Sequence, residues 1–199
     1  METETEISNV HLDDHVDQVI AGCLSLATPR SFYLFAGAGS GKTRSLVNAL
    51  RYIQTTHGEK LKLNGQHVGV ITYTNKACDE IVRRIGFDPL FTVSTIHSYA
   101  WTLISGFNKD IREWLRKNLA KDISDLEEAE RKGRQGTKAS TTRLSQIESK
   151  RRRLEDLNGV RIFNYNPNGE NKERGSLNHT EVIAICASFL SEKRLMQRI

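Results

Sequence analysis

AGAGSGKT, residues Ala36 to Thr43, sets three glycines, a lysine and a threonine within eight positions. The phosphate-loop pattern is Gly, four residues, then Gly-Lys-Ser/Thr. Here Ala36 stands at its first position and Gly41-Lys42-Thr43 at its last three. Glycines let the backbone turn back tightly and aim successive N–H groups at phosphate oxygens. A helix starting just behind the loop adds its positive end. Lys42 then supplies a point charge for the β- and γ-phosphates, and the Thr43 hydroxyl suits a Mg²⁺ ion. ATP and Mg²⁺ are therefore the expected cofactors. Ala36, Gly37, Ala38, Gly39, Ser40, Gly41, Lys42 and Thr43 are the candidate binding residues. Lys42 and Thr43 are the catalytic candidates, with Thr43 as metal ligand. Arg44 follows directly, placed to approach base or sugar, although an arginine on a helix face is the plainer reading.

The flanks agree with such a loop. Ser31 to Ala36 (SFYLFA) is a short apolar run that predicts a buried strand. Lys42 to Gln54 carries Leu46, Val47, Leu50 and Ile53 on one helical face. Upstream, His11 to Ala27 has a helical rhythm closed by Thr28-Pro29. Downstream, Thr55 to Gln66 is polar and reads as a surface excursion. Val68 to Tyr73 predicts a strand, Asn75 to Ile85 a helix, Phe91 to Ser94 a third strand and Ile96 to Ile104 a further helix. Strand and helix alternate three times, the signature of an α/β fold with a parallel sheet flanked by helices.

Past Gly106 the composition shifts. Asp110 to Lys132 and Leu144 to Leu157 have helical spacing, separated by GRQGTKASTT, so a charged helical hairpin is expected. Asn158 to Leu177 reads as loop and His179 to Gln197 as a closing amphipathic helix. The domain organisation expected is 1–105, 106–176 and 177–199. The chain carries a net charge of +5. Fifteen Lys/Arg against ten Asp/Glu fall between Lys109 and Arg161, which accounts for that whole excess. Its densest point is Lys150-Arg151-Arg152-Arg153. A local basic excess fits a polyanion partner, and it equally fits a solvated helix held by i,i+4 ion pairs. Cys23, Cys78 and Cys186 form no CxxC pair and point to a reducing, cytoplasmic setting. No apolar run is long enough to span a bilayer. His11 and His15 share i,i+4 spacing but lack a third ligand nearby. Trp101 and Trp114 read as packing residues.

Two more segments sharpen the reading: ITYTNKACDEIVRRI (Ile71 to Ile85) and VSTIHSYAWTLI (Val93 to Ile104). Taken in order with AGAGSGKT, they resemble motifs I, Ia and Ib of the UvrD/Rep-like family of superfamily 1 DNA helicases. The resemblance covers residues 11–105 most clearly. It implies a RecA-like P-loop sheet, a mostly helical inserted subdomain of the 1B kind, and an incomplete motor domain. It also implies single-stranded DNA contact through Tyr73, Thr74, Asn75, Thr95, His97 and Ser98. From the residues alone, capping is the favoured role of Thr74-Asn75 and Thr95, and both roles can coexist. Family members carry Phe where Tyr73 and Ile96 stand. Tyr73 keeps a ring able to stack on a base, worth about 1–3 kcal/mol, whereas Ile96 does not. The family's adenine-reading glutamine has Gln18 as its nearest counterpart.

A hydrolytic P-loop motor also needs a carboxylate pair at the end of another apolar strand. Glu155-Asp156 follows a basic run and Glu192 lies in the last helix, so neither qualifies. The resemblance further calls for a second RecA-like domain with arginine fingers. The chain thus reads as the front portion of an ATP-dependent DNA helicase or translocase, inactive alone. A missing C-terminal motor half or another subunit is an expected partner. Two other readings stand beside it: a nucleotide-dependent DNA-binding module without turnover, and a P-loop ATPase unrelated to nucleic acid.

Overall fold

Val68–Thr72 and Phe91–Thr95 are rich in β-branched residues, which favour extended backbone, and they form strands β1 and β2. The computed structural model describes residues 12–35, 37, 39–171 and 173–192. Within it the chain divides into two units, residues 1–95 and 96–199.

The first unit is built on the parallel pair β1–β2, in which Val68 stands opposite Phe91 and Thr72 opposite Thr95. Helix α1 spans Leu12–Cys23, α2 Lys42–Leu63, and α3 Asn75–Ile85 bridges the two strands. Val47, Leu50, Gly58 and Leu61 recur at helical spacing along α2 and are all buried. They meet Val70 of β1, Ile81 and Ile85 of α3, and Leu90 and Phe91 at the start of β2. The α3 boundaries follow from local chemistry. The Thr74 hydroxyl accepts the Ala77 N–H at its start, and Gly86 closes it in a left-handed turn at φ 76°.

Two expectations are corrected here. Residues 31–35 are not a buried strand: Tyr33 and Phe35 are 87% and 88% exposed. A strand exists only as part of a ladder, and β1 and β2 pair with each other, so the parallel sheet has two strands among the described residues. Nor is 55–66 a surface excursion, because α2 continues through it to Leu63. Thr55 turns its hydroxyl back onto the carbonyls of Arg51 and Tyr52. Burial of Leu61 then outweighs the poor helix propensity of Thr55, Thr56 and Gly58.

The second unit is helical. Its helices are α4 (Ile96–Ile104), α5 (Asn108–Lys132), α6 (Lys138–Asp156) and α7 (His179–Glu192), with a 3-10 turn at Leu157–Gly159. Helix α6 starts earlier than its apolar rhythm predicts, because Thr137 caps it by accepting the Ser140 N–H at 3.2 Å. The break between α5 and α6 therefore shrinks to residues 133–137. Asp122–Lys150 and Glu130–Arg143 pair across the hairpin in reverse order, which makes the two helices antiparallel. Ile104, Ile111, Leu115, Val182 and Ile185 are essentially inaccessible at the centre of this unit. The segment expected as loop is irregular, with one isolated bridge between Asn164 and Ser176. The expected last turns of α7, to Gln197, lie outside the described residues. No helix among the described residues is long and apolar enough to cross a membrane.

Candidate nucleotide and nucleic-acid site

Gly39 has φ 76° and Gly41, the N-cap of α2, has φ 81°. This left-handed region costs a residue with a side chain about 1–2 kcal/mol and glycine almost nothing. A β-carbon built on Gly37, Gly39 or Gly41 meets nothing within 4 Å, so these glycines border open space. Ser40 donates to the Gly37 carbonyl through both its hydroxyl (2.8 Å) and its N–H (3.4 Å). The Lys42 ammonium donates to the same oxygen. The loop therefore curls around Gly37. Helix α2 begins with no side-chain cap and no acid in its first turn, which leaves its positive end uncompensated there. Thr43, the second residue of α2, is exposed. Ala36 and Ala38 lie outside the described residues.

A cleft of about 440 Å³ opens beside the loop, lined by Asp17, Gly39, Ser40, Gly41, Arg44 and Ser45. Gln18 is exposed, and its neighbour Asp17 supplies the α1 wall of the cleft. Asp17 Oδ2 accepts from Asn48 Nδ2 at 2.7 Å, while its buried Oδ1 has no hydrogen-bond partner. Sequence reasoning passed over both Asp17 and Asn48. They meet across 31 positions, and no local pattern signals such a pair. Backbone donors, an ammonium and a hydroxyl around open space fit a polyphosphate with its Mg²⁺, which the chain's own acids do not pre-empt in that turn.

At the ends of the strands, Thr72 and Thr95 lie side by side in register. The chain leaves β1 through Tyr73, whose ring is 91% exposed. Thr74 adopts extended cap geometry, and the Thr72 hydroxyl donates to its carbonyl at 3.0 Å. The capping role of Thr74 is thus realised, with Asn75 exposed just behind it. Thr95 is buried at 9% exposure. In the second unit, His97 and Ser98 are half-buried in the first turn of α4.

The basic cluster on α6 is already engaged. Lys150 pairs with Asp122 at 2.6 Å, Arg151 with Glu127 at 2.5 Å, Arg152 with Glu148 at 3.0 Å and Arg153 with Glu181 at 2.8 Å. The first three are exposed and worth about 0–1 kcal/mol each, whereas Arg153–Glu181 is part-buried. The geometry is that of a solvated helix face laced by ion pairs.

A glycine loop running into an uncapped helix, beside a βαβ unit, marks an α/β fold. Comparison with known families narrows it, because residues 23–198 match the UvrD/REP helicase N-terminal domain, and the chain belongs to that family. Among curated proteins it is similar to the Gabija protein GajB of Bacillus cereus (strain HuB5-5), at 40% identity over 98 residues. It is also similar to a probable DNA helicase II homolog of Mycoplasma capricolum, at 34% identity over 89 residues. These matches cover 49% and 42% of this chain but only 14% and 11% of the relatives' own lengths. No solved structure matches the chain.

Proposed function

We propose that this chain binds ATP with Mg²⁺ in the loop of residues 36–43 and single-stranded DNA through the ends of its strands, as part of an ATP-dependent DNA helicase or translocase. The observation that carries the nucleotide reading is the pairing of left-handed Gly39 and Gly41 with the uncapped, acid-free start of α2. Membership of a helicase family supports the DNA reading.

Each residue has a role in this proposal. Backbone N–H groups of the loop hold phosphate oxygens, Lys42 exchanges its bond to Gly37 for a phosphate, and the Thr43 hydroxyl holds Mg²⁺. The cleft between Asp17 and Arg44 takes the nucleoside, with Gln18 at its margin. The bound ion would neutralise phosphate charge during transfer. Tyr73 stacks on a base, and Thr74, Asn75, Thr95, His97 and Ser98 contact or frame the phosphate backbone. Turnover needs a further carboxylate pair. Asp17 is the acid lining the cleft among the described residues, and it lies on α1 instead of at the end of a strand.

The test is nucleotide binding by calorimetry, together with phosphate release measured with and without oligo(dT). Saturable ATP binding with negligible release is the expected result for this chain. Release stimulated by oligo(dT) would show that the chain holds its own catalytic acids. Binding of ATP without any affinity for oligo(dT) at low salt would favour a P-loop protein unrelated to nucleic acid.

A further inference from the structure

Three ring side chains of the helical unit converge at the start of α7. The Tyr165 hydroxyl lies 2.5 Å from His179 Nδ1, with the two rings 5.4 Å apart and nearly perpendicular. His179 in turn sets its ring 5.0 Å from that of His97, at 64°. Tyr165 also packs against Trp101 of α4, with centroids 6.1 Å apart, so the phenol is anchored from two sides. Burial pushes its hydroxyl pKa above the usual 10.0. With the phenol as donor, Nδ1 of His179 is the acceptor. The ring then carries its proton on Nε2. His179 is exposed and His97 half-buried, so neither ring is sealed in the core.

We propose that His97 and His179 together form a two-imidazole site for the phosphodiester backbone of single-stranded nucleic acid, with Tyr165 as the positioning residue for His179. This rests on the reading of His97 as a nucleic-acid contact. Rings 5.0 Å apart can each reach a non-bridging oxygen of one phosphate at ordinary hydrogen-bond length. His179 is also the first residue of α7. The start of α7 is capped by its own residues, since Glu181 takes the Asn178 N–H at 3.0 Å and Arg153 at 2.8 Å while Asn178 Oδ1 takes the Glu181 N–H at 2.9 Å. The two rings therefore carry the site. A metal is the poorer occupant. Nδ1 of His179 is already committed to Tyr165, and no group of three or more His, Cys, Asp or Glu suited to a metal occurs among the described residues.

The experiment is fluorescence anisotropy of labelled oligo(dT) with the whole chain, its folding checked by circular dichroism. The variants are His97→Ala, His179→Ala, the double variant, His179→Gln and Tyr165→Phe. Each single alanine is expected to weaken binding about tenfold, as for loss of one hydrogen bond to a charged group. The double variant should lose less than the product of the two, because the rings share one phosphate. His179→Gln, which restores an N–H donor and keeps the helix start intact, should recover part of the loss. In ¹⁵N spectra, His179 should show the Nε2–H tautomer, and Tyr165→Phe should release it while weakening oligo(dT) severalfold. If His97→Ala weakens binding while His179→Ala, His179→Gln and Tyr165→Phe bind like the parent chain, the paired site is wrong and the His97 contact stands. If the parent chain itself does not bind oligo(dT), both fall together.

Discussion

Asp88, in the turn between α3 and β2, accepts a hydrogen bond at 2.7 Å from Gln54 Nε2, 34 positions earlier in α2. The same carboxylate takes the Leu90 N–H at 2.9 Å and the Lys62 ammonium at 3.2 Å. One side chain thus ties the approach to β2 onto the helix that follows the phosphate loop. These bonds, the Leu90 N–H first and Gln54 and Lys62 after it, lower its pKa from 3.8 to about 2. A lowered folded pKa means the stabilisation is complete above the unfolded value of 3.8 and is lost as pH falls from there through about 2. Carboxyl ¹³C titration should therefore give Asp88 a midpoint near 2. Asp88→Asn should remove that part of the acid dependence. A midpoint at or above 3.8 would contradict the arrangement.

Alanine should act with opposite sign at two glycines of the first unit. Gly58 is interior to α2, and a β-carbon there meets Leu90 Cδ2 at 3.7 Å, an ordinary contact. Gly58→Ala should stabilise by about 0.5–1 kcal/mol, because alanine loses less backbone entropy in a helix. Gly86 ends α3 at φ 76°, and Gly86→Ala should cost about 1–2 kcal/mol. Urea melts of the two variants decide it, and a shift of the same sign in both would refute the account.

Lys42→Ala should abolish measurable ATP binding while leaving the urea midpoint nearly unchanged. Lys42 is exposed, so its removal opens no core and takes away only the proposed phosphate contact. Equal ATP affinity in the variant, read by calorimetry, would sever Lys42 from the nucleotide.

In the helical unit, Ile104 and Leu115 are 0% and 1% exposed. Truncation to alanine at either should cost about 2–5 kcal/mol through lost contact and a residual cavity. Arg152→Gln, which breaks only the exposed i,i+4 pair with Glu148, should shift stability by less than about 1 kcal/mol. Comparable losses at Ile104 and Arg152 in chemical denaturation would overturn this ranking.

Elements whose ends carry their own chemistry were legible from local sequence. Helix α3 runs from Asn75 to Ile85 as read, because Thr74 caps it and Gly86 turns it. Helix α4 likewise spans Ile96–Ile104 as read, and β1 and β2 fall within a residue of their expected ends. The exposed run at 31–35 shows the limit of this reasoning, since hydrophobicity proposes a strand but only a neighbouring ladder makes one. The length of α2 was hidden for the converse reason. Thr55, Thr56 and Gly58 read as breakers, and burial of Leu61 against distant residues overrides them.

What the amino-acid sequence determined by itself is the glycine loop and its order relative to the two motifs behind it. Gly39, Gly41, Lys42 and Thr43 are neighbours along the chain, and turn conformation depends on residues that close. Tertiary structure alone decided which groups meet across long separations. Asn48 reaches Asp17, Lys150, Arg151 and Arg153 each find a carboxylate on another helix, and Tyr165 sets His179 beside His97. Hydrogen bonds and ion pairs act over a few ångströms. Their partners are therefore chosen by how helices pack, a property of the whole unit that no local spacing carries.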